Sequence, residues 1–300
     1  AFATLTNCTL SRNSAACNGG GISGGAANNC LVRANTADNG GGAWGGILNN
    51  CTLSYNKANY SGGGAFGCTV NNGLLRANTA VNGGGAWGGI LNNCTLAHNE
   101  AACSGGGTFT GYGYGVQLKN CIVYYNTAKT NADAADAALS YCCTPVAGGT
   151  GNITNAPQFV NGAAGDYRLR ASSPCINQGA NVFAAGTTAL DGNPRIVNGV
   201  VDMGAYEYGS SLWAGAEDAG GGWKYLAWFG SFQDAGGGRI WHTEHGWLHS
   251  NGTSPSSIWF WSSRRGWMWT SCSVYPFFWN TKAEAWLWYY RGTGNGTGGW

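Results

Sequence analysis

One phrase recurs along the first half of the chain. NCTLSRNSA from Asn7, NCLVRANTA from Asn29, NCTLSYNKA from Asn50, NGLLRANTA from Asn72, NCTLAHNEA from Asn93 and NCIVYYNTA from Asn120 begin 22, 21, 22, 21 and 27 residues apart. Gly triplets starting at Gly19, Gly40, Gly62, Gly83 and Gly105 keep the same spacing of 21 or 22. A fixed period of this length marks a solenoid, whose repeats cannot bury an apolar face alone and therefore stack. Asn39–Leu53 (NGGGAWGGILNNCTL) recurs unchanged as Asn82–Leu96, 43 residues later, so two coils were duplicated together.

With 53 Gly among 300 residues and no helical periodicity, each coil reads as short strands joined by turns, because Gly is costly in helices. Stacking coils at the inter-strand spacing of about 4.8 Å turns equivalent positions into columns. Cys8, Cys30, Cys51, Cys94 and Cys121, with Gly73 in the gap, form one column. Leu10, Val32, Leu53, Leu75, Leu96 and Val123 form a second, two residues along and so on the same strand face. Asn13, Asn35, Asn56, Asn78, Asn99 and Asn126 end the same strand as a structural ladder, each able to bond its own turn and its neighbours' amides. The Gly triplets supply turns with positive φ, not a phosphate loop, since no strand–helix unit surrounds them. Leu48-x-x-Cys51-x-Leu53-x-x-Asn56 also matches a leucine-rich-repeat strand, but GGGAWGG stands where that fold needs further leucines.

The predicted class is all-β: a right-handed parallel β-helix of about 21–22 residues per coil, followed by a small Trp-rich antiparallel domain. The expected division is coils over 1–128, a closing module over 129–208, a linker over 209–222 and a Trp-rich β-meander over 223–300.

The net charge is +2 with no Lys/Arg run, which removes the electrostatic footprint of a nucleic-acid partner. No transmembrane segment of about 20 apolar residues is present. Twelve cysteines favour an oxidising, extracellular setting or a bacterial cell surface. Stacked coils bring Cys8 near Cys30 and Cys94 near Cys121, within disulfide reach, with a free buried ladder as the alternative. Cys142 or Cys143 bonded to Cys175 would staple the closing module.

The GGGA segments (Gly40–Ala43, Gly62–Ala65, Gly83–Ala86) alternating with strands that end in Asn resemble the GGA and FxxN repeats of chlamydial polymorphic outer-membrane proteins and related bacterial β-helix proteins. Ser140–Ala180 and LDGNPRIVNGVVDMGAYEY (Leu190–Tyr208) resemble the closing module of secreted bacterial β-helix proteins with interchangeable C-terminal anchors. That resemblance implies export and a surface destiny. Here a Trp-rich tail stands where the anchor would be.

In that tail, WKYLAWFGSF, RIWHTEHGWLHS, SSIWFWSSRRGWMWTS, SVYPFFW and AWLWYY alternate aromatics with small or polar residues between turn signals, which predicts a five-strand meander. Its Gly-Trp pairs at Gly246-Trp247 and Gly266-Trp267 are similar to choline-binding and cell-wall-binding hairpins, whose aromatics cage cationic or sugar ligands. Trp241, Trp247, Trp259, Trp267, Trp269 and Trp286 either fill the small domain's interior or form a binding face for a glycan, a cell-wall polymer or another subunit.

No catalytic residue, metal site or cofactor is expected. Within 1–128 only Asp38 and Glu100 are acidic, and they fall in different columns, so the carboxylate pair of a polysaccharide hydrolase or lyase is missing. Arg33 and Arg76 share one repeat position and read as a solvated face; Asp166, Asp191 and Asp202 read as loop residues. In HTEHGWLH, strand alternation puts His242 and Glu244 on one face and His245 on the other, unlike a metal motif. With Ala1 entering the first repeat directly, the chain reads as an extracellular structural protein that self-associates head-to-tail into a filament. A surface adhesin or glycan-binding module is the alternative, ahead of a polysaccharide-degrading enzyme.

Overall fold

The computed structural model describes residues 3–290 apart from 112, 114, 147, 198, 209–212, 214–215, 237–238 and 255. Ala1, part of the expected linker and residues 291–300 of the expected meander thus lie outside the described residues. The chain divides into two compact units, 1–209 and 210–300.

The first unit is a parallel β-solenoid of about six coils, each adding one short strand to each of four parallel sheets. One coil reads Ala26–Asn28, Leu31–Arg33, Thr36–Asn39 and Ala43–Trp44. Pairing is in register, so Leu10, Val32, Leu53, Leu75, Leu96 and Val123 stack as one column. The Cys and Leu/Val columns pack with Ala27, Leu48, Val70, Leu91 and Leu118 as a continuous interior.

The Asn ladder runs through this interior. Each Asn from Asn13 to Asn99 donates its backbone N–H and its Nδ2–H to the Oδ1 of the next, at 2.9–3.1 Å. From Asn35 on, the second Nδ2–H goes to a carbonyl of the preceding coil, as from Asn78 to Leu53 at 3.0 Å. Asn126 passes the pattern to Asp133, whose carboxylate accepts both bonds.

Only the first Gly of each triplet takes positive φ, as Gly40 does at +62°. The other two are required by close approach: a Cβ on Gly63 would lie 2.4 Å from the Thr79 carbonyl oxygen of the next coil. The gap in the Cys column has a similar cause. A Cβ on Gly73 would meet Val70 Cγ1 at 2.5 Å. Completing the column with Gly73→Cys is therefore expected to lower stability by about 1–3 kcal/mol in urea unfolding, and Val70→Ala in the same chain to recover part of it.

All twelve cysteines are free thiols in the structure: Cys8, Cys30, Cys94 and Cys121 form the free buried ladder rather than disulfides, and Cys143 lies against Cys175 as a thiol. Equivalent residues on parallel, in-register strands send their Cα–Cβ bonds the same way, whereas a disulfide needs them to converge. Cys8, Cys30, Cys51, Cys94, Cys121 and Cys142 each donate S–H to the carbonyl two residues earlier, at 3.2–3.3 Å. Cys142 faces the solenoid interior and Cys143 the outer cluster that contains Cys175. A thiol hydrogen bond with Cys175, then burial, raises the Cys143 pKa well above that of an ordinary thiol.

The closing segment covers a flank of the coils rather than lying wholly at their end. Leu74, Ala97 and Ile122 pack with Phe159, Tyr167, Leu169, Cys175 and Met203. The Asn that opens each repeat adopts left-handed geometry, and Asn50, Asn72, Asn93 and Asn120 form the docking rail. Asn50 donates to Thr188 Oγ1, Asn72 to the Ala185 carbonyl and Asn120 to the Ala180 carbonyl, at 3.1, 2.6 and 2.9 Å. Arg195, 1% exposed, ion-pairs with Glu207 and donates to the Gly204 carbonyl at 3.0 Å and to Asn72 Oδ1 at 3.4 Å.

The second unit is a nine-stranded antiparallel meander from Glu217 to Trp288, where five strands were expected. Each long aromatic segment is itself a hairpin. Its turn closes on a Gly with positive φ, Gly230, Gly246 or Gly266, and the last two segments are joined by a turn ending at Glu284, also with positive φ. The expected linker also holds the first strand, Glu217–Gly220, which pairs with Trp223–Leu226. Among the described residues, no helix is long and apolar enough to cross a membrane.

Candidate binding face

Strand alternation in the meander separates two kinds of apolar residue. Leu226, Phe232, Ile240, Leu248, Ile258, Phe260, Met268 and Phe278 point to one face and form the core with Trp213, Phe229 and Tyr289. The tryptophans on these strands point to the other face. On the strands the core is thus filled by Phe and aliphatic residues, with Trp213 and Trp228 joining it from outside the strands, and Trp241, Trp247, Trp259, Trp267 and Trp286 stay 37–53% exposed. Trp269 lies on the same face and is half-buried.

Cross-strand register sorts this face into rows. Gln233, Trp241 and Trp247 form the first. Arg239, His249, Trp261 and Trp267 form the second. Asn251, Trp259, Trp269, Trp279 and Trp286 form the third. A cleft of about 600 Å³ between the first two is lined by Arg239, Trp247, His249, Trp261, Ser263 and Trp267. A smaller one of about 320 Å³ between the second and third is lined by Asn251, Trp259, Trp267 and Thr281.

Ring geometry decides what the face offers. Trp241 with Trp247, Trp269 with Trp286 and Trp279 with Trp286 meet edge-to-face at 63–70°. This favoured geometry leaves much ring surface to solvent. The solenoid carries another aromatic column, Trp44, Phe66, Trp87 and Phe109, which sequence reasoning passed over by reading GGGAWGG as turn geometry. There Phe66 and Trp87 stack nearly parallel at 4.3 Å and Trp87 is only 5% exposed, so the faces are spent on each other.

The histidines of HTEHGWLH do not converge on a metal. Residues 243–245 are a turn, so the expected split across two strand faces is corrected: the rings of His242 and His245 stack at 4.5 Å while His249 joins the exposed face. His242 Nδ1 accepts the Glu244 and His245 N–H groups, so its Nε2 donates to the Phe229 carbonyl at 2.9 Å and the ring is neutral. Among the described residues no group of three or more His, Cys, Asp or Glu could hold a metal ion.

In the closing segment, Asp191 lines a cleft of about 640 Å³ with Asn29, Asn50, Thr52, Thr188 and Tyr206. Asp166 pairs with Arg168 at 2.6 Å, which holds its carboxyl below the usual range and suits it poorly to proton donation. Asp202 is buried and accepts the Asn177 and Tyr208 N–H groups, a structural role. Arg33 and Arg76 lie over the Tyr55 ring at 5.3 and 5.1 Å. A scan of protein-family models finds no match to this chain, and a search of curated proteins finds none similar to it.

Proposed function

We propose that the C-terminal sheet is a glycan-binding face and that the chain works at a bacterial surface or outside the cell, with the solenoid as a rigid carrier and no catalytic step. The observation that carries this reading is the segregation of the strand tryptophans onto one exposed face, with their clefts edged by hydrogen-bonding side chains. A sugar ring has the same division into an apolar face and a polar rim, so the indoles take the former and Asn251, Thr281, Ser263 and His249 the latter.

Export accords with the resemblance of the repeats and closing segment to secreted β-helix proteins, and a glycan ligand with the resemblance of the tail to cell-wall-binding hairpins. Head-to-tail assembly rests on how Ala1 enters the first coil, outside the described residues. The tryptophan face has geometry behind it and is preferred.

The test is a pull-down of the full chain with insoluble β-glucan, chitin, peptidoglycan and polyuronate. At least one should retain the chain, and Trp247→Ala, Trp267→Ala or Trp286→Ala should each weaken that binding by about 2 kcal/mol, some thirtyfold. Stability should fall by about 1 kcal/mol or less, because these rings are exposed. Retention by none of the polymers, or retention unchanged in all three variants, overturns the proposal.

A further inference from the structure

The larger cleft has an electrostatic character that the glycan-binding reading, on which this inference rests, does not use. Arg239 stands opposite His249 on the neighbouring strand, and its guanidinium lies 5.0 Å from the centre of the Trp247 ring. Among the described residues Arg239 makes no salt bridge and no carboxylate lines the cleft. Ser263, at the cleft edge, is followed in its turn by Arg264 and Arg265. The aromatic walls therefore surround positive charge. That arrangement disfavours the quaternary ammonium ligands that other aromatic cages take.

We propose that this cleft is a subsite for an acidic sugar, a uronate unit of an anionic polysaccharide. The ring's apolar face packs on Trp247, Trp261 or Trp267, and its carboxylate takes two parallel hydrogen bonds from Arg239. A guanidinium over an indole is already half of such a site: it is ordered by the ring while its N–H groups remain able to turn to a ligand. Arg264 and Arg265 add attraction along the polymer beyond the bound unit.

The experiment compares binding of the full chain to polygalacturonate, to its methyl ester and to a sulfated polysaccharide. Esterification keeps the ring and removes the charge, and it should weaken binding about tenfold or more, the value of a charge-assisted hydrogen-bond pair. Arg239→Gln should lose most of the preference for the acid over the ester, keeping only the salt-sensitive part that Arg264 and Arg265 supply, whereas Trp286→Ala, in the third row, should lower both in proportion. Equal affinity of the unaltered chain for acid and ester overturns the subsite and leaves the glycan-binding reading standing. Equal affinity for the sulfated polymer, undiminished in Arg239→Gln, overturns the carboxylate assignment. Binding to no polymer, acidic or neutral, overturns both.

Discussion

Replacing Asn78 with alanine is expected to destabilise the solenoid by about 4 kcal/mol or more, a large share of the roughly 5–15 kcal/mol by which a domain is stable. The side chain accepts the N–H and Nδ2–H of Asn56 and donates to Asn99 Oδ1 and the Leu53 carbonyl, at 2.9–3.0 Å. Asn56, Asn78 and Asn99 are completely buried, so no water replaces what is lost. Each orphaned buried group costs about 1–3 kcal/mol, more than the net value of the bond it made. The control is Asn71→Ala. Asn71 sits in a shorter, half-buried ladder, where it donates to Asn49 and accepts from Asn92 at 2.9 Å, and water can take its place. Urea unfolding should therefore separate the two substitutions by several kcal/mol, and equal losses would mean that the ladder contributes little beyond ordinary surface hydrogen bonding.

Arg195→Met is expected to cost about 3–5 kcal/mol at alkaline pH, where it leaves the Glu207 carboxylate buried without its cation. Burial raises the Glu207 pKa from 4.5 to about 7 against the pull of Arg195, and without Arg195 it rises further. A carboxyl whose pKa is raised in the folded state adds stability below its unfolded value and loses it as pH rises through the folded one. The variant's extra loss relative to the unaltered chain should therefore appear above about pH 7, growing as pH rises toward its own higher folded pKa and vanishing as pH falls below 7, and Arg195→Met with Glu207→Gln should be less damaged at alkaline pH than Arg195→Met alone. A deficit independent of pH and of Glu207 would assign Arg195 to packing only.

The repeat made the solenoid legible because stacking needs nothing beyond equal spacing: the Cys, Leu and Asn columns follow from counting along the chain. What counting misses is direction. Cys8 and Cys30 stack as expected, yet neighbouring Cα–Cβ bonds run parallel and the thiols turn to their own strand's carbonyls. Departures from the repeat also carried information that periodicity discards. Leu74, Ala97 and Ile122 interrupt outward positions that most other coils fill with Thr, Ser or Arg, Leu31 and Tyr124 being the exceptions, and they lie where the closing segment docks.

In the meander, the alternation of RIWH and SSIWFWS was legible, but not which face is the core. Placing Ile240, Ile258 and Phe260 on one side and Trp241, Trp259 and Trp261 on the other decides it, since Phe and Ile pack fully without a polar atom to satisfy. The strand count was missed because AWF, TEH and SRR carry no Gly, Pro or Asn, and the turn signal is the single Gly that follows each.

The most direct test of the glycan-binding claim is to follow the indole N–H signals of the 15 tryptophans by NMR while titrating the full chain with oligosaccharides of the polymers above. The tryptophan-face account predicts that Trp247, Trp259, Trp267 and Trp286 shift on saturation while the solenoid's Trp44 and Trp87 and the core's Trp213 do not. Shifts confined to Trp44 and Trp87, or no shift with any oligosaccharide, would contradict it.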